Sequence, residues 1–148
     1  MVKIPKKSKK QIDRALEIYD KLVKHYPNAY CELNHSNAFE LLIATILSAQ
    51  CTDVRVNKVT PDLFKAYPTP EAMAEAPLDE LEELVRTTGF FRNKAKSLKE
   101  ASQTLVEEFD GDVPKTMEEL LTLRSICFFD FLGILTTFLD VIHLNFQF

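Results

Sequence analysis

The segment from Phe39 to Asp53, FELLIATILSAQCTD, constrains the fold of this chain more than any other. Before Asp53 its only charge is Glu40, so a helix formed by this segment has no polar face to turn toward water. The pattern therefore predicts a helix buried at the centre of a domain, with Asn37 as its N-cap and Glu40 as a capping-box partner. Burial does not explain the polar group with which the segment ends, namely Ser48, Gln50, Thr52 and Asp53.

Apolar residues recur at helical spacing through most of the remaining chain, which predicts an all-α protein. The presence of only three glycines, with Ala, Leu, Glu and Lys abundant, favours the same fold class, and no segment shows convincing period-two alternation. Caps and helix breakers predict a helix at about residues 11–25 and another that starts at the N-cap Thr52 and is interrupted or kinked at Pro61. Thr69 is expected to cap a short helix through Ala76 with Pro70 in its first turn. Further helices are predicted from 78 to Gly89, at 92–109 and just after Thr116.

Length and composition are those of one soluble globular domain. The chain has 148 residues, of which 46% are hydrophobic and 27% are charged. Its formal net charge of −4 hides a basic arm at residues 1–10, whose lysines could contact phosphates or simply be solvated. Global charge therefore argues neither for nor against a nucleic-acid partner.

The cysteines carry no metal-binding pattern. Cys31, Cys51 and Cys127 are widely spaced and form neither a CxxC motif nor a cluster with histidine. This spacing predicts a reduced, cytoplasmic compartment and no metal ligands. The N-terminal lysines are not followed by an apolar run, so no secretory signal is expected.

Several separate segments together resemble one family. LLIATILSAQCTDVRVNKVTP, followed by TPEAMAEA, TTGFFRNKAKSLKEASQ and DVPKTMEELLTL, closely resembles the endonuclease III family of DNA-repair glycosylases. The resemblance runs in order from about Leu16 to Leu123. It implies a helix–hairpin–helix DNA-glycosylase fold, with a partial endonuclease III-like domain at 11–123 and a function in base excision repair. Complete family members excise oxidised pyrimidines and cleave the abasic site.

The resemblance stops where the family continues with a hairpin of the form LPGVGRKTA, because this chain instead has RSICFFDFLGILTTFLDVIHLNFQF. The family's attacking lysine lies in that hairpin, yet no lysine follows Lys115 here. Four C-terminal cysteines that hold a 4Fe–4S cluster in the family are also missing. Asp130 and Asp140 lie in no family motif and cannot be equated with the supporting aspartate. We therefore expect a truncated, inactive copy with no catalytic residue and no cofactor.

The corner after the apolar helix is the first expected contact with double-stranded DNA. Enzymes that act on one base remove it from the stack, and a long planar side chain can fill the space it leaves. In the family a Gln-X-Thr-Asp corner faces DNA and its glutamine fills that space. The resemblance thus implies DNA-binding roles for Gln50, Thr52 and Asp53. The alternative is a glutamine that only bonds its own backbone at a helix end.

The TGFFRNKA segment is the second expected contact. In the family an apolar residue directly after its glycine is a wedge between bases, and here that residue is Phe90, where leucine is common. Arg92 and Lys94 follow at once and are expected to contact phosphates. Taken without the family, Phe90 is typical of a core residue, and the basic residues fit a solvated helix face.

Residues 124–148 form an aberrant tail that holds six of the eleven phenylalanines. Its periodicity predicts a helix at about 126–142 that packs on the body or drives self-association. The tail is either the product of a frameshift or a real divergent end. Two other functions stay open, a non-catalytic DNA-binding module and a protein that binds a partner or a membrane surface through the tail. The two aspartates of the tail and its length of 25 residues argue against a membrane span.

Overall fold

The computed structural model describes residues 8–28, 30–120 and 122–123. The chain divides into two compact units, Met1–Cys31 and Glu32–Phe148, and each is considered by itself. The described residues form helices and no strand, which confirms the all-α prediction. The predicted tail helix, its packing and the binding roles that depend on it fall outside the described residues.

The first unit contributes one helix, α1, which spans Lys9–His25. Ser8 caps it by accepting a hydrogen bond from the backbone of Gln11, whose side chain accepts one from the Ser8 N–H at 2.8 Å. The described end of the basic arm is thus the cap and first turn of a helix. No residue of α1 is buried, and its apolar side chains, such as Leu16 and Leu22, are about half exposed.

The second unit is built around α2, which spans Ala38–Ser48. Every residue from Leu41 to Leu47 is buried, which confirms the predicted central helix. Asn37 caps it, since its side-chain oxygen accepts from the Glu40 N–H at 2.9 Å. The Glu40 carboxylate accepts from the N–H of Ser36 at 2.6 Å, one residue before the position expected of a capping box.

The helix α3 spans Asp53–Ala66 and continues through Pro61, so the predicted interruption at this proline is wrong. An internal proline removes one backbone hydrogen bond and costs about 3 kcal/mol. Buried side chains on both sides of it, among them Val56 and Leu63, offset this cost, because burying each one contributes roughly 1.5–3 kcal/mol. Pro61 itself is exposed, so its ring need not fit inside the core.

The remaining helices follow α3 in the chain. They are α4 at Pro70–Glu75, α5 at Leu78–Leu84, a 3₁₀ turn at Arg86–Thr88, α6 at Phe91–Phe109 and α7 at Met117–Leu120. The cap at Thr69 with Pro70 as the first helical residue, predicted from sequence, is confirmed. The longest of these helices, α6, packs on α2, α4 and α5. A hydrogen bond from Lys94, in the first turn of α6, to the carbonyl of Leu47 places the start of α6 near the end of α2. These two places carry the residues expected to contact DNA.

Candidate nucleic-acid interface

Gln50 lies at an exposed corner between α2 and α3. The helix α2 ends at Ser48, and the chain turns sharply, with the Cys51 N–H donating to the Ser48 carbonyl at 2.9 Å. Gln50 has a φ of 53°, a left-handed conformation that costs a non-glycine residue about 1–2 kcal/mol. Its side chain is exposed, and no hydrogen bond within the described part of the chain ties its amide to the backbone. The amide is therefore free to contact a ligand.

Thr52 and Asp53 have local structural roles at the same corner. The hydroxyl of Thr52 accepts from the Arg55 N–H at 3.4 Å and caps α3. Asp53 is the first residue of the helix, where a carboxylate interacts favourably with the helix dipole. Both residues lie just after Gln50 in the chain, and both stabilise the first turn of α3. The DNA contacts expected of them stay predictions.

Phe90 lies at a second exposed corner, between the 3₁₀ turn and α6. Gly89 and Phe90 both have positive φ, of 71° and 46°, and this backbone turns the phenyl ring outward. Phe90 is 68% exposed, so the interpretation of Phe90 as a core residue is wrong. Val54, which sequence reasoning missed, is 65% exposed on the first turn of α3. It falls off the buried stripe of that helix, and that periodicity could have revealed it.

Arg92 is a surface cation on the first turn of α6. Its side chain is 79% exposed, and its Nε lies 3.8 Å from a carboxylate oxygen of Glu82. The guanidinium also lies 5.4 Å from the centre of the Phe91 ring. An exposed ion pair at this distance contributes little stability, so a phosphate can replace the carboxylate at small cost.

Lys94 departs from the expected phosphate contact, because its side chain is only 5% exposed. Its ammonium donates to the carbonyl of Leu47 at 2.9 Å and to the carbonyl of Thr88 at 2.7 Å. Both bonds are buried, so the charge is not available to a phosphate. The helical spacing of Lys94 with Ala95, Leu98 and Leu105, which form the buried face of α6, is the signal that could have placed it inside.

Desolvation lowers the pKa of Lys94 below its ordinary value of 10.5, and the nearby Cys51 partly opposes this shift. The folded protein therefore holds this proton less tightly than the unfolded chain does. At a pH below the folded-state pKa, Lys94 is protonated in both the folded and the unfolded protein, and its contribution to the free energy of unfolding is at its lowest. This contribution rises as the pH increases from the folded-state pKa toward 10.5, because the folded protein then loses the proton first.

A separate open groove of about 470 Å³ lies near the N-terminal end of α2. None of the residues predicted to bind DNA lines it; its walls are Leu33, Asn34, His35, Ser36, Glu40, Thr60, Pro61 and Phe64. In the described ranges no three His, Cys, Asp or Glu side chains are grouped closely enough to hold a metal ion. None of the helices in the described part is long and apolar enough to cross a membrane.

A family comparison defines the class to which this helical unit belongs. Residues 43–143 match the model of the HhH-GPD superfamily of base excision DNA repair proteins. The match extends past Leu123, where the sequence resemblance was expected to end.

Curated relatives narrow the class. Endonuclease III of Synechocystis sp. is 58% identical over 119 residues, which cover 80% of this chain and 53% of that protein. Endonuclease III of Bacillus subtilis is 44% identical over 117 residues, covering 79% of this chain and 52% of the relative. The chain therefore belongs to the HhH-GPD superfamily and, within it, to the endonuclease III family. It spans about half the length of these relatives.

Solved structures agree with this assignment. A trapped endonuclease III–DNA covalent intermediate, the estranged-adenine complex, is similar with a TM-score of 0.68 and 44% identity, over 82% of this chain and 56% of that one. A thermostable thymine-DNA glycosylase is similar with a TM-score of 0.65 at 18% identity, over 78% of this chain and 55% of that one. The second likeness supports the fold alone.

The Phe90 corner predicts a specific requirement for glycine at position 89. Its φ of 71° and ψ of 150° lie in a region that other residues rarely adopt, while a Cβ at this position would meet no atom within 4 Å. Gly89→Ala should therefore lower the free energy of unfolding by about 1–3 kcal/mol through backbone strain alone. Urea unfolding measures this, with Thr87→Ala, an exposed change two residues earlier, as control. Equal stability of the two variants would contradict the assigned backbone.

Proposed function

We propose that this chain binds double-stranded DNA at a missing or displaced base, as a non-catalytic copy of an endonuclease III-like base excision repair protein. One observation carries the proposal. The two side chains expected to enter the duplex, Gln50 and Phe90, are both exposed, and each follows a turn held by the same buried lysine. The solved complexes of endonuclease III with DNA support the choice of ligand.

The chemistry of the two side chains fits a disrupted base pair. A glutamine amide is flat and carries both donors and acceptors, so Gln50 can occupy the space of a base and pair with its orphaned partner. An aromatic ring such as Phe90 can wedge between bases and unstack them. Arg92 would neutralise a phosphate beside this wedge.

Catalysis is not part of the proposal because this sequence lacks the lysine with which the family attacks the sugar. Complete family members attack the sugar with a lysine of the hairpin, and the last lysine in this sequence is Lys115. The three cysteines are one fewer than the four thiolates that a 4Fe–4S cluster takes, so no cluster is proposed. The rival function through the tail depends on residues 124–148, which lie outside the described part of the chain. A cytoplasmic location likewise stays a prediction.

DNA-binding measurements with two variants test the proposed contacts. Gln50→Ala and Phe90→Ala should each weaken binding to a duplex carrying a tetrahydrofuran abasic analogue by about tenfold. The first change removes hydrogen bonds to the orphaned base, worth about 0.5–1.5 kcal/mol each, and the second removes stacking on the ring, worth roughly 1–3 kcal/mol. Fluorescence anisotropy gives the affinities, and binding should weaken as salt rises.

The matched control is Leu78→Ala, a change at a partly exposed apolar residue on α5. This variant should bind like the wild type. The proposed contacts would be wrong if all three variants bound the abasic duplex equally well. Binding that does not respond to salt would argue against a DNA-binding function altogether.

Borohydride trapping tests the absence of lyase chemistry. Because no lysine is available in a family hairpin, incubation with abasic duplex and borohydride should give no covalent adduct above that of a lysine-containing control protein such as serum albumin. A rapidly formed adduct at one lysine, located by mass spectrometry, would show that this chain retains an attacking amine.

A further inference from the structure

The buried ammonium of Lys94 joins two chain segments that are distant in sequence. Its hydrogen bond to the Leu47 carbonyl spans 47 residues, and its bond to the Thr88 carbonyl starts from the same nitrogen. Leu47 is fully buried and Thr88 is 2% exposed, so neither carbonyl has water as a ready alternative partner. Removing the ammonium would leave two buried acceptors unsatisfied.

Each of these carbonyls stands immediately before one exposed corner. Gln50 follows Leu47 by three residues, and Phe90 follows Thr88 by two. Within the described residues, the bonds of Lys94 are the only hydrogen bonds that link segment 47–50 with segment 88–90. The relative position of the two corners therefore depends on this side chain together with the packing of α2 against α6.

A lysine is chemically suited to this place. An ammonium carries three donors and no acceptor, so it can serve two carbonyls at once. Leu47 lies in the last turn of α2, where helix carbonyls lack partners within the helix and a positive charge is favourable.

We propose that Lys94 is a positioning residue that holds the Gln50 and Phe90 corners at the separation needed to enter one disrupted base pair. The two hydrogen bonds from the Lys94 ammonium to the carbonyls of Leu47 and Thr88 are called the Lys94 clamp. The clamp concerns only the protein, whereas its role in DNA binding rests on the proposed function. It replaces the phosphate contact predicted from sequence. Lys94 touches no nucleotide in this account and acts through the two backbone turns.

Lys99 provides a matched control on the same helix. Its ammonium also donates to a carbonyl that ends a helix, that of Ala76 at 2.6 Å, but this bond fixes the end of α4. Removing Lys99 therefore removes the same charge and the same kind of bond without affecting either corner. If Lys94 had a purely structural role, neither Lys94→Met nor Lys99→Met should change the preference for the lesion.

The experiment compares Lys94→Met, Lys99→Met and Lys94→Arg in the full chain. Affinity is measured for the tetrahydrofuran duplex and for the same duplex without a lesion, over a series of salt concentrations. Lys94→Met should reduce the preference for the lesion by about tenfold, while Lys99→Met leaves it unchanged and Lys94→Arg restores most of it. The slope of log affinity against log salt should not change, whereas loss of a phosphate contact would reduce it by about one.

Amide hydrogen exchange tests the clamp without DNA. Segments 48–51 and 88–91 should both exchange faster, by about tenfold, in Lys94→Met and neither should do so in Lys99→Met. Unchanged exchange in both segments, or a shallower salt slope, would overturn the proposal.

If the wild type itself shows no preference for the lesion, the proposed function fails, and exchange alone decides whether the clamp exists. If Lys94→Met does not fold, Lys94→Gln replaces it, because its shorter side chain cannot reach both carbonyls.

Discussion

The burial of α2 from Leu41 to Leu47 is the constraint on which the second unit depends. Leu42, Ile43 and Leu47 are fully buried, and removing each from water is worth roughly 1.5–3 kcal/mol. A helix surrounded in this way must leave the core abruptly, since the polar residues that follow cannot be buried without partners. The turn at residues 48–51 is the result, and it brings Gln50 to the surface on a rigid support.

The energetics of the two corners are linked to this core. Gln50 and Phe90 both adopt left-handed backbone conformations that cost non-glycine residues about 1–2 kcal/mol each. Such strain persists only where the surroundings determine the backbone, and strained residues concentrate at functional sites. Here the surroundings are the packed helices α2 and α6 and the ammonium of Lys94 that bonds to both turns. The buried ammonium of Lys94 thus helps to fix the backbone that presents Gln50 and Phe90 at the surface.

Local rules predicted most of the fold. Capping side chains at Asn37, Thr52 and Thr69 act within one helical turn, and their positions in the structure match those predicted from sequence. The predicted interruption of α3 at Pro61 was wrong because the lost hydrogen bond is a local cost, whereas the burial that offsets it comes from contacts with other helices. The family resemblance, rather than any pattern, pointed to Gln50 and Phe90.

Tertiary contacts explain what the sequence could not reveal about the site. Phe90 has a large apolar side chain of the kind usually found in a core. The positive φ angles of Gly89 and Phe90, which the sequence does not reveal, accompany its exposed position. Lys94 looks like a surface cation until its partners are known, and those partners are backbone carbonyls that no sequence pattern marks.

Site-specific photo-cross-linking from position 90 tests most directly whether this surface enters damaged DNA. Phe90 is replaced by p-benzoylphenylalanine, an aromatic residue that retains the exposed ring, and Leu78 is replaced in the same way as a control. Irradiation with a duplex carrying one abasic analogue should cross-link position 90 to nucleotides at or beside the lesion and give little product from position 78. Cross-links from position 90 that are spread evenly along the duplex, or no more frequent than those from position 78, would contradict the account.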